Sequence, residues 1–191
     1  MKKNRGGYME LLIFVIIAIV TVLAIILIVV VNTYNKFQFS MIKISEAENN
    51  IDILLEKKLD YIARFIPIIK DNSKEDCREL DKVNLLKSKK LNNFELNQQL
   101  DKYKKELHEI LDTDETLSKV EIVTTLYAEF EDNEEELEAS KDYYNDNVTI
   151  YNKLVHCFPS NLIAILFHYK HKDFYIDEKE EMFEILKDDK R

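Results

Sequence analysis

The four histidines and two cysteines are the residues from which a metal or nucleophilic site would be built. His168 and His171 stand i to i+3, a spacing that puts both on one face if the segment is helical, and His156 and Cys157 add ligands of the kind zinc takes. Against this, Pro159 intervenes, no carboxylate pattern such as HExxH exists, and Lys170 and Lys172 place positive charge beside the pair. Solvated histidines are the expectation. Cys157 and His156 have the composition of a nucleophile and its base, but adjacent residues on a helix point about 100° apart. The acidic run Glu131, Asp132, Glu134, Glu135, Glu136 and Glu138 could attract divalent cations or a basic partner, but a solvated helix face is the expectation. Asn147-Val148-Thr149 matches a glycosylation sequon, short enough to arise by chance and placed on a core helix. No catalytic, cofactor-binding or metal residue is assigned, and the expectation is a protein that is not an enzyme.

Composition supports that reading. Both glycines of the 191 residues, Gly6 and Gly7, lie at the N-terminus. Glycine-rich phosphate loops, dinucleotide fingerprints and nucleophile elbows need backbone without a Cβ at fixed places, so those enzyme classes are excluded. With only Pro67 and Pro159 as further breakers, long helices are the simplest structure. The two cysteines form neither a disulfide framework nor a CxxC site.

The elements that position these residues begin with Leu11 to Val31, apolar at every position except Thr21. As a helix this run is about 31 Å long, matching a hydrocarbon core of about 30 Å. Tyr8 and Tyr34 flank it where interfacial aromatics belong. A cleaved signal peptide has a shorter apolar core and a small-x-small site, which Val31-Asn32-Thr33-Tyr34 does not offer. The run is therefore read as an uncleaved single-pass anchor in the cell membrane. Lys2, Lys3 and Arg5 before it outnumber Lys36 and Lys43 after it, which leans toward a cytoplasmic N-terminus and an extracytoplasmic body. Removing Lys2, Lys3, Arg5 and Glu10 from 27 basic and 36 acidic residues leaves 24 and 35, a body of net charge −11. Such a surface repels phosphate backbones and argues against a nucleic-acid partner.

Three apolar stripes follow. Ile44, Ala47, Ile51, Leu54, Tyr61 and Phe65 recur at threes and fours, with Lys58 as the polar interruption, and define a helix to about Lys70 that Pro67 kinks or ends. Asp71-Asn72-Ser73, with Glu75 and Asp76, then reads as a turn and N-cap opening a second helix. That helix carries Leu96, Leu100, Tyr103, Leu107 and Ile110, with an irregular stretch from Asn84 to Asn93. Asp112-Thr113-Asp114 caps a third, on which Val120, Val123, Tyr127, Phe130, Glu134, Leu137, Lys141, Tyr144, Val148, Tyr151, Val155 and Phe158 keep a coiled-coil-like spacing without a slip. Leu162 to Phe167 makes a short helix after Pro159, and the charged end from Lys170 is expected to fray. The predicted fold is all-α: an N-terminal transmembrane helix, then an antiparallel up-and-down bundle of about three long helices plus a short C-terminal helix. The corresponding boundaries are a basic tail (1–10), the anchor (11–31), the bundle (32–169) and a C-terminal tail (170–191). Folding the second and third helices about a turn near Thr113 sets Cys77 and Cys157 about 12 Å apart in axial level, too far for a disulfide.

Two stretches resemble the LemA family of membrane-anchored helical proteins. The C-terminal one comprises Ala139, Tyr144-Asn145, Val148, Tyr151-Asn152, then Phe158-Pro159-Ser160-Asn161-Leu162-Ile163-Ala164 and Phe167, similar to that family's alanine, Tyr-Asn pair, second Asn and FPxNxxA segment. The N-terminal one, Tyr34-Asn35 with Ala47, Ile51-Asp52, Leu55, Lys57-Lys58, Asp60 and Ile62, resembles its YN and IDxxLxRRxDLIP pattern. Ala63 stands where that pattern has proline, and Ser140 where a basic residue follows the alanine. The resemblance implies a single anchor and an up-and-down helical body with no established enzymatic activity. Beside it, the residues carry their own physics. Asn145 and Asn152 sit one position past the third stripe, seven apart, so both amides share one flank of the core. Register fixing by bonds to a neighbouring helix or a loop cap is the expectation, rather than a ligand site. Phe158-Pro159-Ser160 reads as a helix stop, a proline turn and a new N-cap.

The leading functional reading is a structural or protein-interaction module held at a membrane, with no cofactor and no small-molecule substrate identified. The alternative is a membrane sensor in which anchor and first helix form one continuous rod. They differ in whether residues 32–36 are helical.

Overall fold

The computed structural model describes residues 5–73, 77–89, 91–114 and 116–175. Lys2, Lys3, Glu75, Asp76 and the end beyond 175 lie outside them. The described residues are helical or irregular, with no strand. Five α-helices follow one another: α1 Arg5–Asn72, α2 Val83–Leu86, α3 Asn93–Thr113, α4 Glu121–His156 and α5 Ser160–Phe167. Contacts divide the chain into two compact units, one of residues 5–42 with 148–172, the other of residues 43–147 with 173–175.

The apolar run and the first bundle helix are one element. No glycine or proline stands between Tyr8 and Ile66, and α1 runs through residues 32–36 without a break. Pro67 neither ends it nor stands in its last turn. Lacking an N–H, it leaves the Ala63 carbonyl without its helical donor, yet the helix continues to Asn72. There the Asn72 amide donates to the Ile68 carbonyl at 2.9 Å and the Ser73 N–H to that of Ile69 at 2.8 Å.

In the unit of residues 43–147 and 173–175, the second helix expected from Ser73 is replaced by two legs. Residues 77–89 run back along α1 as a 3-10 turn, Leu80–Lys82, and the single turn of α2; Lys70 pairs with Asp81 at 2.7 Å and Lys87 with Asp60 at 2.6 Å. Leu80, Val83 and Leu86 are their buried face. α3 then rises parallel to α1, as Lys58 to Asp101 (2.6 Å) and Ser73 to Asp114 (2.5 Å) show. α4 descends, meeting α1 at Asn50–Ser140 and Lys58–Glu134. The up-and-down order holds, but the expected N-cap at Asp71-Asn72-Ser73 is instead the C-terminus of α1. The cap of the second long helix is Asn92, whose side chain accepts from Glu95 N–H at 2.8 Å while the Glu95 carboxylate accepts from Asn92 N–H at 3.2 Å, a reciprocal capping box. Asp112-Thr113-Asp114 does not cap the third helix as expected: Asp114 follows the end of α3, and α4 begins at Glu121. Asp114 accepts from the Ser73 hydroxyl and from both the N–H and hydroxyl of Thr116, bonds that hold its carboxyl below the usual aspartate range. The core joins Ile51, Leu54, Leu55, Ile62, Phe65 and Ile69 of α1 to Leu100 and Leu107 of α3 and Phe130 and Leu137 of α4. These are mainly the stripe residues named from periodicity.

In the unit of residues 5–42 and 148–172, Phe37 of α1 is fully buried between Tyr151, edge-on at 5.7 Å, and Tyr169, stacked at 4.5 Å. α4 stops at His156, and the Phe158–Pro159 peptide is cis. The cap of α5 is Pro159 rather than Ser160, which is its first residue and donates its hydroxyl to the Cys157 carbonyl at 2.8 Å. α5 ends at His168, in the left-handed region at φ 58°, with the Tyr169 N–H closing on Ala164 at 2.9 Å.

Candidate functional site

Two of the three polar stripe interruptions meet, and the third, Lys141, is buried on α4 and pairs with Glu138 at 2.8 Å. Lys58 on α1 is only 1% exposed, and its ammonium lies 2.6 Å from Asp101 and 2.9 Å from Glu134, itself buried on α4. Lys104 of α3 donates to Glu134 Oε2 at 2.8 Å, the oxygen that also accepts from Lys58 at 3.0 Å, and the Asn97 amide donates to Asp101 at 3.1 Å. Beside them the buried Asn133 amide donates to the Leu54 carbonyl of α1 at 3.2 Å. Burial works against the Lys104 ammonium, but the bond to Glu134 and the charges of Glu134, Glu131 and Asp101 outweigh it and hold its pKa above the ordinary lysine value. Four charges, two of each sign, thus neutralise one another inside three helices. Such a set does no obvious chemistry, because every ion is committed to a partner; it fixes which faces of α1, α3 and α4 meet. Lys58 and Glu134 were visible as interruptions. Asp101 and Lys104 each stand one position past a stripe residue, Leu100 and Tyr103, and only that flank position marked them.

The asparagines do something other than bond a neighbouring helix. In one unit the Asn145 side chain makes two bonds to a single residue of the irregular segment after α5, donating to the Tyr175 carbonyl at 2.8 Å and accepting from its N–H at 2.8 Å. Tyr175 is further held there by its hydroxyl, which donates to the Asn93 carbonyl at 3.1 Å, and by the Lys141 ammonium 5.5 Å from its ring centroid. In the other unit Asn152 makes the same pair of bonds to Lys172, at 2.8 and 3.0 Å. An amide offers one donor and one acceptor side by side, the pattern a strand edge presents, so each asparagine pairs with backbone that has no helix of its own. The fraying expected from Lys170 therefore does not describe residues 172–175.

The other sequence candidates do not assemble. His168 and His171 are both exposed and past the end of α5, so the helical i to i+3 geometry is absent. The His156 and His171 rings are 5.7 Å apart. Cys77 is buried, Cys157 is exposed, and neither is in a disulfide; the axial reckoning behind that expectation fails, since Cys77 belongs to the leg antiparallel to α3. In the acidic run Asp132, Glu135, Glu136 and Glu138 are exposed as expected, but Glu134 is buried and ion-paired. The Asn147 amide of the sequon is buried and donates to the Tyr143 carbonyl at 2.7 Å within its own helix. An open cleft of about 390 Å³ lies between Asp60 and Lys87, which pair across it, and a smaller one borders His108 and Tyr127. Among the described residues no group of His, Cys, Asp and Glu is arranged to hold a metal ion.

Residues 47–185 match the model of the LemA family. This chain belongs to the LemA family. The LemA match includes α3, to which the motif resemblance did not extend, and begins after Tyr34-Asn35. No curated protein and no solved structure matches the chain significantly.

Proposed function

We propose that this LemA-family chain is a membrane-anchored, non-enzymatic module that holds a helical body at the bilayer surface for contact with other proteins. The observation carrying the reading is α1, whose residues 8–29 are exposed at every position although nearly all are apolar. A helix apolar on all faces and covered by none of its own chain is suited to lipid. The charge network and the asparagine clamps hold that helical body together.

The protein should stay with the membrane pellet through carbonate or high-salt washing, because about 20 apolar residues in hydrocarbon hold it without electrostatics. Recovery of the full chain in the supernatant would end the anchoring reading. In the same cells, a membrane-impermeant thiol reagent tests the extracytoplasmic placement suggested by Lys2, Lys3 and Arg5. Only the exposed Cys157 can report, since Cys77 is buried. Labelling of intact cells supports an outward body, and labelling only after lysis reverses it. Crosslinking in native membranes with mass spectrometry then names the protein partners.

The helical state of residues 32–36 favours the second reading, a rod transmitting a signal through the bilayer. Two glycines inserted after Val31 would uncouple such a rod while leaving the anchor in place. Unchanged crosslinking partners in that variant would speak for the plain interaction module.

A further inference from the structure

After Ser160 and Asn161 in its first turn, α5 is apolar at every position, and only one side is covered. Ser160, Ile163 and Ala164 face inward and are buried. On the outside Leu162 is 57%, Ile165 72% and Leu166 64% exposed, and Phe158 just before the helix is 80% exposed. A helix hydrophobic all round requires a second apolar phase.

Its position within its unit identifies that phase. The Phe167 ring lies 5.1 Å from Tyr34 of α1, and the following Tyr169 is stacked on Phe37 and accepts a bond from the Gln38 amide at 2.9 Å. Tyr34 is three residues beyond Val31, about 4.5 Å of helical rise past the apolar run. The headgroup layer on each side of a bilayer is roughly 5 to 8 Å thick. α5 is therefore fastened to α1 at the depth where interfacial helices lie.

Charge points the same way. The chain carries a net −9, yet residues 32–42 and 148–172 contain no Asp or Glu at all. They contain Lys36, Lys153, Lys170 and Lys172, with His156, His168 and His171. The acidic residues of the body lie at positions 43–147 and 173–191, outside these two stretches. An exposed apolar helix whose neighbouring stretches carry basic and no acidic residues is the combination that binds a bilayer with anionic headgroups.

We infer that α5, with Phe158, is a second membrane contact: its Phe158, Leu162, Ile165 and Leu166 face enters the interface of an anionic bilayer beside the point where α1 emerges. This rests on α1 being the anchor, and the test separates the two. The full chain, with Cys157→Ser, is placed in nanodiscs of equal parts phosphatidylcholine and phosphatidylglycerol. A polarity-sensitive fluorophore is attached at Ile165→Cys, Val22→Cys or Glu135→Cys, and nitroxide-bearing lipids are the quencher. The expected result is strong quenching at 22, quenching at 165 several-fold above that at 135, and a fall at 165 when phosphatidylcholine replaces phosphatidylglycerol. Quenching at 22 with none at 165 overturns the α5 contact and leaves the anchor standing. No quenching at 22 removes the anchor and the inference with it. Shielding of the 165 label from water that depends on two copies per nanodisc, without lipid quenching, assigns the face to a second chain and overturns the inference as well.

Discussion

Replacing Lys58 by Met is expected to lower the unfolding free energy of the detergent-solubilised chain by about 3 kcal/mol. The ammonium is almost completely enclosed and neutralises Asp101 and Glu134 at once. Without it Glu134 remains buried with only Lys104 to balance it. Removing one partner of a buried pair costs roughly 3 to 5 kcal/mol because the other charge stays in low dielectric. Lys104 keeps the figure at the low end, and the Asp101 side chain, 40% exposed, recovers water. Adding Glu134→Leu to Lys58→Met should restore most of the loss, since two apolar residues of similar volume replace the pair and the half-exposed Asp101 and Lys104 can turn outward. Denaturant unfolding followed by circular dichroism decides it. A Lys58→Met chain as stable as the unaltered one would mean that the charges are hydrated and do not fix helix register.

That network also shows where the sequence was legible. Lys58 and Glu134 broke otherwise apolar stripes, and a polar residue at a core position must find a partner. Periodicity could mark both positions but could not join them, because it carries no information about which helix faces which. The same holds for the asparagines: their shared flank followed from a spacing of seven, whereas their targets, Lys172 and Tyr175, lie in an irregular segment with no period to read. The leg of residues 77–89 was hidden for a related reason. Leu80, Val83 and Leu86 do recur at threes, but a 3-10 turn and one α-turn are too short for a stripe to stand out. Asp71-Asn72-Ser73 misled because these residue types bond local backbone at either end of a helix; here Asn72 closes α1 rather than opening its successor. At α1 the long breaker-free sequence was the better guide than the change from apolar to amphipathic at Asn32, which alters the surroundings of the helix and not its backbone.

Tyr151→Ala should cost on the order of 3 kcal/mol, the usual loss for a large aromatic truncated in a packed core. The residue is 3% exposed, packs edge-on against Phe37 and follows the fully buried Val148 one turn earlier on the same stripe. Its neighbour Asn152, although buried, should matter less, about 1 to 2 kcal/mol when replaced by Ala, because the loss is two hydrogen bonds to the backbone of Lys172, which is partly exposed and can regain water. Glu135, exposed and outside the stripe, should change stability by no more than about 0.5 kcal/mol. Thermal unfolding of the three variants orders them, and the order tests the packing more sharply than any single value. Equal losses at Tyr151 and Glu135 would put Tyr151 outside the core. If Asn152→Ala melted like the unaltered chain yet lost a crosslinked partner in cells, the asparagine would belong to an interaction surface, and its clamp on Lys172 would not be what holds that segment in place.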